Sequence, residues 1–125
     1  MIEIKTVQSF DELKKLYEKR NIEFKDFCMA IRAVDNDEEL GVCLLSLTPN
    51  GIYIKDIEPK DDLSLADGVL RSALHVAVFH NVSNAFYEDT APNEIFKRLG
   101  FILDEAQKTL NINKLFESGC SCQNS

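Results

Sequence analysis

The opening residues MIEIKTVQ alternate between apolar and polar as a strand does. The period then lengthens. In SFDELKKLYEKR, Leu13, Leu16 and Tyr17 recur at helical spacing, Ser9 stands at the N-cap with Glu12 three residues on, and Asn21 is a fitting stop. FCMAIRAV and LGVCLLSL are apolar, strand-length and separated by DNDEE, which predicts an antiparallel hairpin. TPNG reads as a turn, and IYIKDIEP alternates until Pro59 ends it. From Ser64 the period is helical again: Leu65, Val69, Ala73, Val76 and Ala77, with Leu70 and Leu74 beside them, trace one broad face. Ser64 with Asp67 reads as the cap of this helix, and Asn81 as its left-handed stop. SNAFYE is then a short strand, APNEIFKRLG a short helix closed by Gly100, and FILDEAQKTLNINKLF a final pair of strands. The predicted order is β-α-β-β-β-α-β-α-β-β, an α/β layered fold over residues 1–116, followed by a loose tail, 117–125.

Charge narrows the partners. With 14 basic against 21 acidic residues and a net of −7, the chain lacks the basic footprint that nucleic-acid binding needs. The longest apolar run is far short of the roughly 18 residues of a membrane span, and no basic-then-apolar leader is present. A cytoplasmic protein without a membrane partner is expected. Cys28 and Cys43 sit in apolar segments and read as buried, reduced thiols.

The element order, with FKRLGF from Phe96 to Phe101, resembles the GNAT acyltransferase superfamily, whose short helix typically ends in Tyr-Glu-Lys-Leu-Gly-Phe. LADGVLRSAL is similar to that family's Gly-Ile-Gly-x-x-Leu-Leu-x-x-Leu region. IKDIEP resembles the strand that leads there through a hydrophobic-x-Pro exit. The resemblance implies a mixed, mostly antiparallel sheet of about seven strands covered by helices. It implies an N-acyltransferase that moves an acetyl group from acetyl-CoA to an amine of a small molecule or protein, with no metal. The fourth and fifth strands would splay, pantetheine would pair with the fourth, and pyrophosphate would sit on amides of the next loop and helix.

Carried across, the resemblance assigns the amides of Leu65, Ala66, Asp67 and Gly68 to the pyrophosphate, with the Ser64 hydroxyl as a further donor. The backbone at Ile57 would polarise the thioester carbonyl, Glu58 or a water would be the base, and Tyr87 is the preferred replacement acid. The pattern also departs from the family. The basic position of the phosphate loop falls on Asp61, its glycine positions on Asp62, Ser64 and Ala66, and Gly68 lies one place outside. Like charges ~4 Å apart cost about 4 kcal/mol at an effective dielectric near 20, before splaying and water reduce it. Phe96 fills the tyrosine position and cannot donate a proton. A second expectation therefore stands beside the enzyme: a GNAT-fold binding or regulatory module without transfer chemistry. With one helix between the first two strands, the acceptor wall is thin, and a homodimer would complete it.

Other residues have plainer readings. Asp61 and Asp62 are solvated acids that help start a helix, ahead of any magnesium site. His75 and His80 are structural, and Tyr53 is strand packing. Alternation puts Asp56 and Glu58 on one face with Ile52 and Ile54, opposite Tyr53, Lys55 and Ile57. The pair Cys120 and Cys122 leaves a soft-metal site, a labile disulfide and a dispensable tail all open.

Overall fold

The computed structural model describes residues 1–116, so the expectations for Cys120 and Cys122 lie outside the described residues. The elements run β1 (Glu3–Thr6), α1 (Phe10–Lys19), β2 (Cys28–Asp35), β3 (Glu38–Thr48), β4 (Gly51–Glu58), α2 (Leu63–Phe79), β5 (Ala85–Tyr87), α3 (Asn93–Leu99), β6 (Ile102–Asp104) and β7 (Thr109–Leu110). Their order is the one predicted. The strands form one sheet, β1-β2-β3-β4-β5-β7-β6, in which β4 and β5 are parallel and every other pair is antiparallel.

Local chemistry fixes the junctions. Ser9 caps α1 by accepting from the Glu12 amide at 3.3 Å, and Asn21 ends the turn after it at φ 55°. The hairpin between β2 and β3 turns on Asn36 and Asp37, at φ 52° and 68°, the left-handed pair that a two-residue connection requires. Gly100 closes α3 at φ 76°.

The sheet carries two cores. On one face Ile52, Ile54 and Ile57 cluster with α2, Phe96 of α3 and Phe101; on the other Ala30, Val42 and Leu44 cluster with Leu16 and Tyr17 of α1. Tyr17 anchors the second layer, its hydroxyl lying 2.7 Å from both the Met29 and the Leu45 carbonyl oxygens. Burial raises the pKa of this hydroxyl far above its ordinary value, so it stays a donor. Cys28 and Cys43 are buried free thiols, as expected.

The C-terminal end departs from the expected strand. Beyond β7 the chain turns: Leu115 donates to Ile112 and Phe116 to Asn113, each at 3.0 Å, while the Asn111 side chain accepts from the Asn113 amide at 3.1 Å. Asn111 offers the backbone a local turn in place of a ladder. Among the described residues no helix is long and apolar enough to cross a membrane.

Candidate functional site

The sheet opens where the parallel pair of β4 and β5 ends. β4 and β5 match Ile52 with Ala85, Tyr53 with Phe86 and Ile54 with Tyr87, and the Glu88 amide donates to the Ile54 carbonyl at 2.9 Å. Past that point no residue of β4 pairs with β5 among the described residues. Lys55 and Thr90 hold the fork. The Lys55 ammonium, 10% exposed, stands 3.4 Å from the Glu88 carboxylate, and the Thr90 hydroxyl donates to the Lys55 carbonyl at 2.6 Å.

A bulge at the same place resets the faces of β4. Leu44 opposes Asp56 and Leu45 opposes Ile54, so Lys55 is the extra residue. Strict alternation fails there. Ile57 joins Ile52 and Ile54 beneath α2, whereas Asp56 lies opposite Leu44 of the α1 layer. Asp56 and Glu58 do share a side, as expected, but not with Ile52 and Ile54.

That side is organised by Arg20, which caps α1. Its side chain is 8% exposed; Nη1 donates to the Leu16 carbonyl at 3.1 Å and Nη2 to Glu58 Oε1 at 2.8 Å. Nε lies 3.5 Å from Asp56 Oδ2 and, although buried, makes no hydrogen bond among the described residues. Asp56 uses its other oxygen on the backbone, with Oδ1 accepting from the Ile57 amide at 2.9 Å. Burial lifts the Asp56 carboxyl above its ordinary value and Glu58 adds to this, while the Ile57 N–H, Lys60 and Arg20 pull it down. The Ile57 N–H expected to face a thioester is therefore held by a carboxylate, and Glu58, the expected base, is held by Arg20.

The phosphate loop also differs from expectation. Asp62, not Ser64, caps α2, accepting from the Leu65 amide at 3.1 Å. The Ala66 amide bonds to the Asp62 carbonyl at 3.0 Å, and the Asp67 carboxylate pairs with Arg71 at 2.9 Å. Gly68 lies beyond the first turn, against Ile4. Capping at Asp62 thus moves the first turn toward the strand. The amides with no acceptor inside the helix are those of Leu63 and Ser64, so Leu65, Ala66, Asp67 and Gly68 do not form the expected cradle. The reading of Asp62 as a helix-starting acid holds.

Beside this turn is a cavity of about 710 Å³, lined by Leu40, the loop from Pro59 to Leu65, and Arg98 of α3. A second cavity of about 280 Å³, lined by Glu58 and Gly41, shares Leu40, Pro59, Lys60 and Asp61 with it. Two cations, Lys60 and Arg98, thus accompany Asp61 and Asp62 at the loop. Reading the loop alone misses Arg98, which the packing of α3 brings in. It sits inside FKRLGF, where only the Phe96 position bore on chemistry. Tyr87, 4% exposed, packs its ring 5.1 Å from that of fully buried Phe96 and lines other cavities, with Glu88 and Asp89. The two expected catalytic residues, Glu58 and Tyr87, therefore face different cavities.

The strand exit is tightly fitted. A Cβ on Gly41 would lie 2.8 Å from the Glu58 carbonyl oxygen and 3.2 Å from Pro59 Cδ. Gly41→Ala is expected to cost about 1–3 kcal/mol by overpacking a backbone neighbour that cannot swing aside. Urea unfolding reads this out; an unchanged midpoint would show that β3 yields.

The sequence matches no protein-family model and no curated protein. Solved structures do match. A ribosomal-protein-alanine N-acetyltransferase from Brucella melitensis biovar Abortus is 12% identical, with a TM-score of 0.58 over 79% of this chain and 90% of that one. An aminoglycoside acetyltransferase from an uncultured soil sample is 15% identical, at 0.57 over 83% and 93%. A GNAT-family acetyltransferase from Streptococcus pneumoniae is 16% identical, at 0.53 over 82% and 88%. The open, splayed mixed sheet is that of an acetyltransferase fold. The chain shares the fold of these acetyltransferases.

Proposed function

We propose that this protein is an N-acyltransferase that takes an acetyl group from acetyl-CoA to an amine of a small molecule or a protein. The observation that carries this reading is the fork between β4 and β5 at Lys55 and Glu88, with the Lys60–Arg98 cavity at the end of the same strand. The cavity is of ligand size and its donor set suits a pyrophosphate: two cations and the first-turn amides of Leu63 and Ser64. Asp61 and Asp62 both oppose an anion there, Asp62 even while it accepts from the Leu65 amide, and Lys60 and Arg98 offset them. When bound, acetyl-CoA supplies an acyl group activated as a thioester. In this reading Glu58, 41% exposed and lining the adjoining cavity, accepts the amine's proton, directly or through water. Arg20 orients it.

Solved structures of this fold include enzymes that acetylate a ribosomal-protein alanine and aminoglycosides, which supports an amine acceptor of some kind. The buried free thiols Cys28 and Cys43 suit the reducing cytoplasm. The occupied Ile57 amide and the buried Phe96 favour a second reading, a binding module without transfer chemistry.

Calorimetric titration of acetyl-CoA tests the site. Micromolar binding that Arg98→Glu weakens by roughly tenfold or more is expected, since the change replaces an attraction to pyrophosphate by a repulsion. No heat and no thermal stabilisation at millimolar ligand would end the acyltransferase reading. Binding without turnover across a panel of amines would favour the module.

A further inference from the structure

The geometry around Arg20 points to a latch: we propose that Asp56 masks the Ile57 amide and releases it by rotating onto Arg20 Nε. Asp56 and Arg20 are positioning residues in this scheme; their ligand is a carbonyl oxygen, and only the ligand-binding arm of the test rests on the acyl-transfer reading.

Three observations combine. First, Ile57 lies on the part of β4 that has lost its β5 partner, and its N–H is nonetheless engaged, by the side chain of the preceding residue at 2.9 Å. Second, Arg20 Nε is buried, makes no hydrogen bond among the described residues, and lies 3.5 Å from Oδ2 of that same carboxylate. The guanidinium cannot easily move to close the gap, because Leu16 and Glu58 fix its other two nitrogens and its fork is planar. The carboxylate is the part free to turn. Third, the bulge at Lys55 is what places Asp56 on the Arg20 side of the sheet while Ile57 joins the layer beneath α2.

A small rotation about the Asp56 side chain exchanges one hydrogen bond for another of comparable strength, to a charged donor. In the first position the Arg20 Nε donor is without an acceptor; in the second it is the Ile57 N–H. A carbonyl oxygen arriving at Ile57 satisfies both, so its binding and the turn of Asp56 favour each other. Rotation also brings the carboxylate closer to a cation as a partly negative oxygen approaches. A thioester carbonyl fits this requirement; a free thiol does not.

Asp56→Ala removes the mask. It is expected to speed hydrogen exchange at the Ile57 amide by roughly tenfold and to tighten acetyl-CoA binding by a similar factor. Binding of CoA, which lacks the acyl carbonyl, stays as in the unaltered protein. Arg20→Lys keeps the charge without the Nε donor. It is expected to slow Ile57 exchange and weaken acetyl-CoA but not CoA. Asp56→Asn, nearly isosteric, gives the Asp56→Ala changes at reduced size and serves if the alanine variant does not fold. Equal shifts for acetyl-CoA and CoA, or Ile57 exchange indifferent to both residues, would overturn the latch. If neither ligand binds the unaltered protein, the acyl-transfer reading fails and exchange at Ile57 alone decides: opposite responses to Asp56→Ala and Arg20→Lys uphold the latch, any other pattern refutes it.

Discussion

Replacing Arg20 with methionine is expected to lower the free energy of unfolding by about 3 kcal/mol, the lower end of the range for breaking a buried ion pair by removing one partner. The lower end applies because Glu58 is 41% exposed and regains water, whereas Asp56, with a side chain 10% exposed, does not. Methionine restores most of the apolar stem, so the loss reports the guanidinium more than a cavity. The Leu16 carbonyl at the end of α1 also loses its Nη1 donor.

Acid should soften the defect. Burial raises the folded-state affinity of Asp56 for a proton above that of the unfolded chain. The contribution of a raised acid is fully present below its unfolded value and is lost as pH climbs through its folded one. In the methionine variant the nearest cation is gone, so Asp56 costs more once ionised. The stability difference between the two proteins is therefore expected to be smallest where Asp56 is protonated in both. It grows as pH climbs above the ordinary aspartate value and levels off once Asp56 is ionised in both. Urea unfolding across that range checks the slope; a difference independent of pH would mean that Asp56 does not respond to Arg20.

How far the sequence speaks for itself follows from where its signals are local. Ser9 with Glu12, the DNDEE turn, Asn21, Asn81 and Gly100 each act on their own neighbours, and the structure uses them as read. The order of elements follows from those boundaries. The face of Asp56 did not follow from alternation, because a bulge depends on what β3 presents opposite, and Leu44 and Leu45 carry no mark of it. Asp62 and Ser64 are both good caps by residue type, and residue type alone does not decide between them. Arg20 caps α1 and Arg98 lies in α3, both remote in sequence from the strand and loop they serve. Charge balance at a site is a tertiary property, so the acidic loop read alone overstates the repulsion of an anion.

Phe96→Ala is expected to cost about 3–5 kcal/mol, as deletion of a fully buried aromatic does when the surrounding core cannot collapse onto the space. Its ring packs against Tyr87 and it belongs to the layer under α2, so few side chains there can move inward independently. Phe96→Tyr is the more telling change, because tyrosine is the residue the family pattern holds at this position. Were the ring aimed at the fork, the hydroxyl would add a proton donor and raise any transfer rate. The ring is instead enclosed, so the added oxygen must find a partner inside an apolar cluster or remain unsatisfied, at about 1–3 kcal/mol. The expected result is a less stable protein with no gain in acetyl transfer, read by urea unfolding alongside a turnover assay. A stable variant with faster turnover would mean that α3 can rotate its ring toward the fork. The amine's proton and the leaving thiolate would then have to be managed by Glu58, Tyr87 and the introduced phenol together, and not by the groups around Arg20.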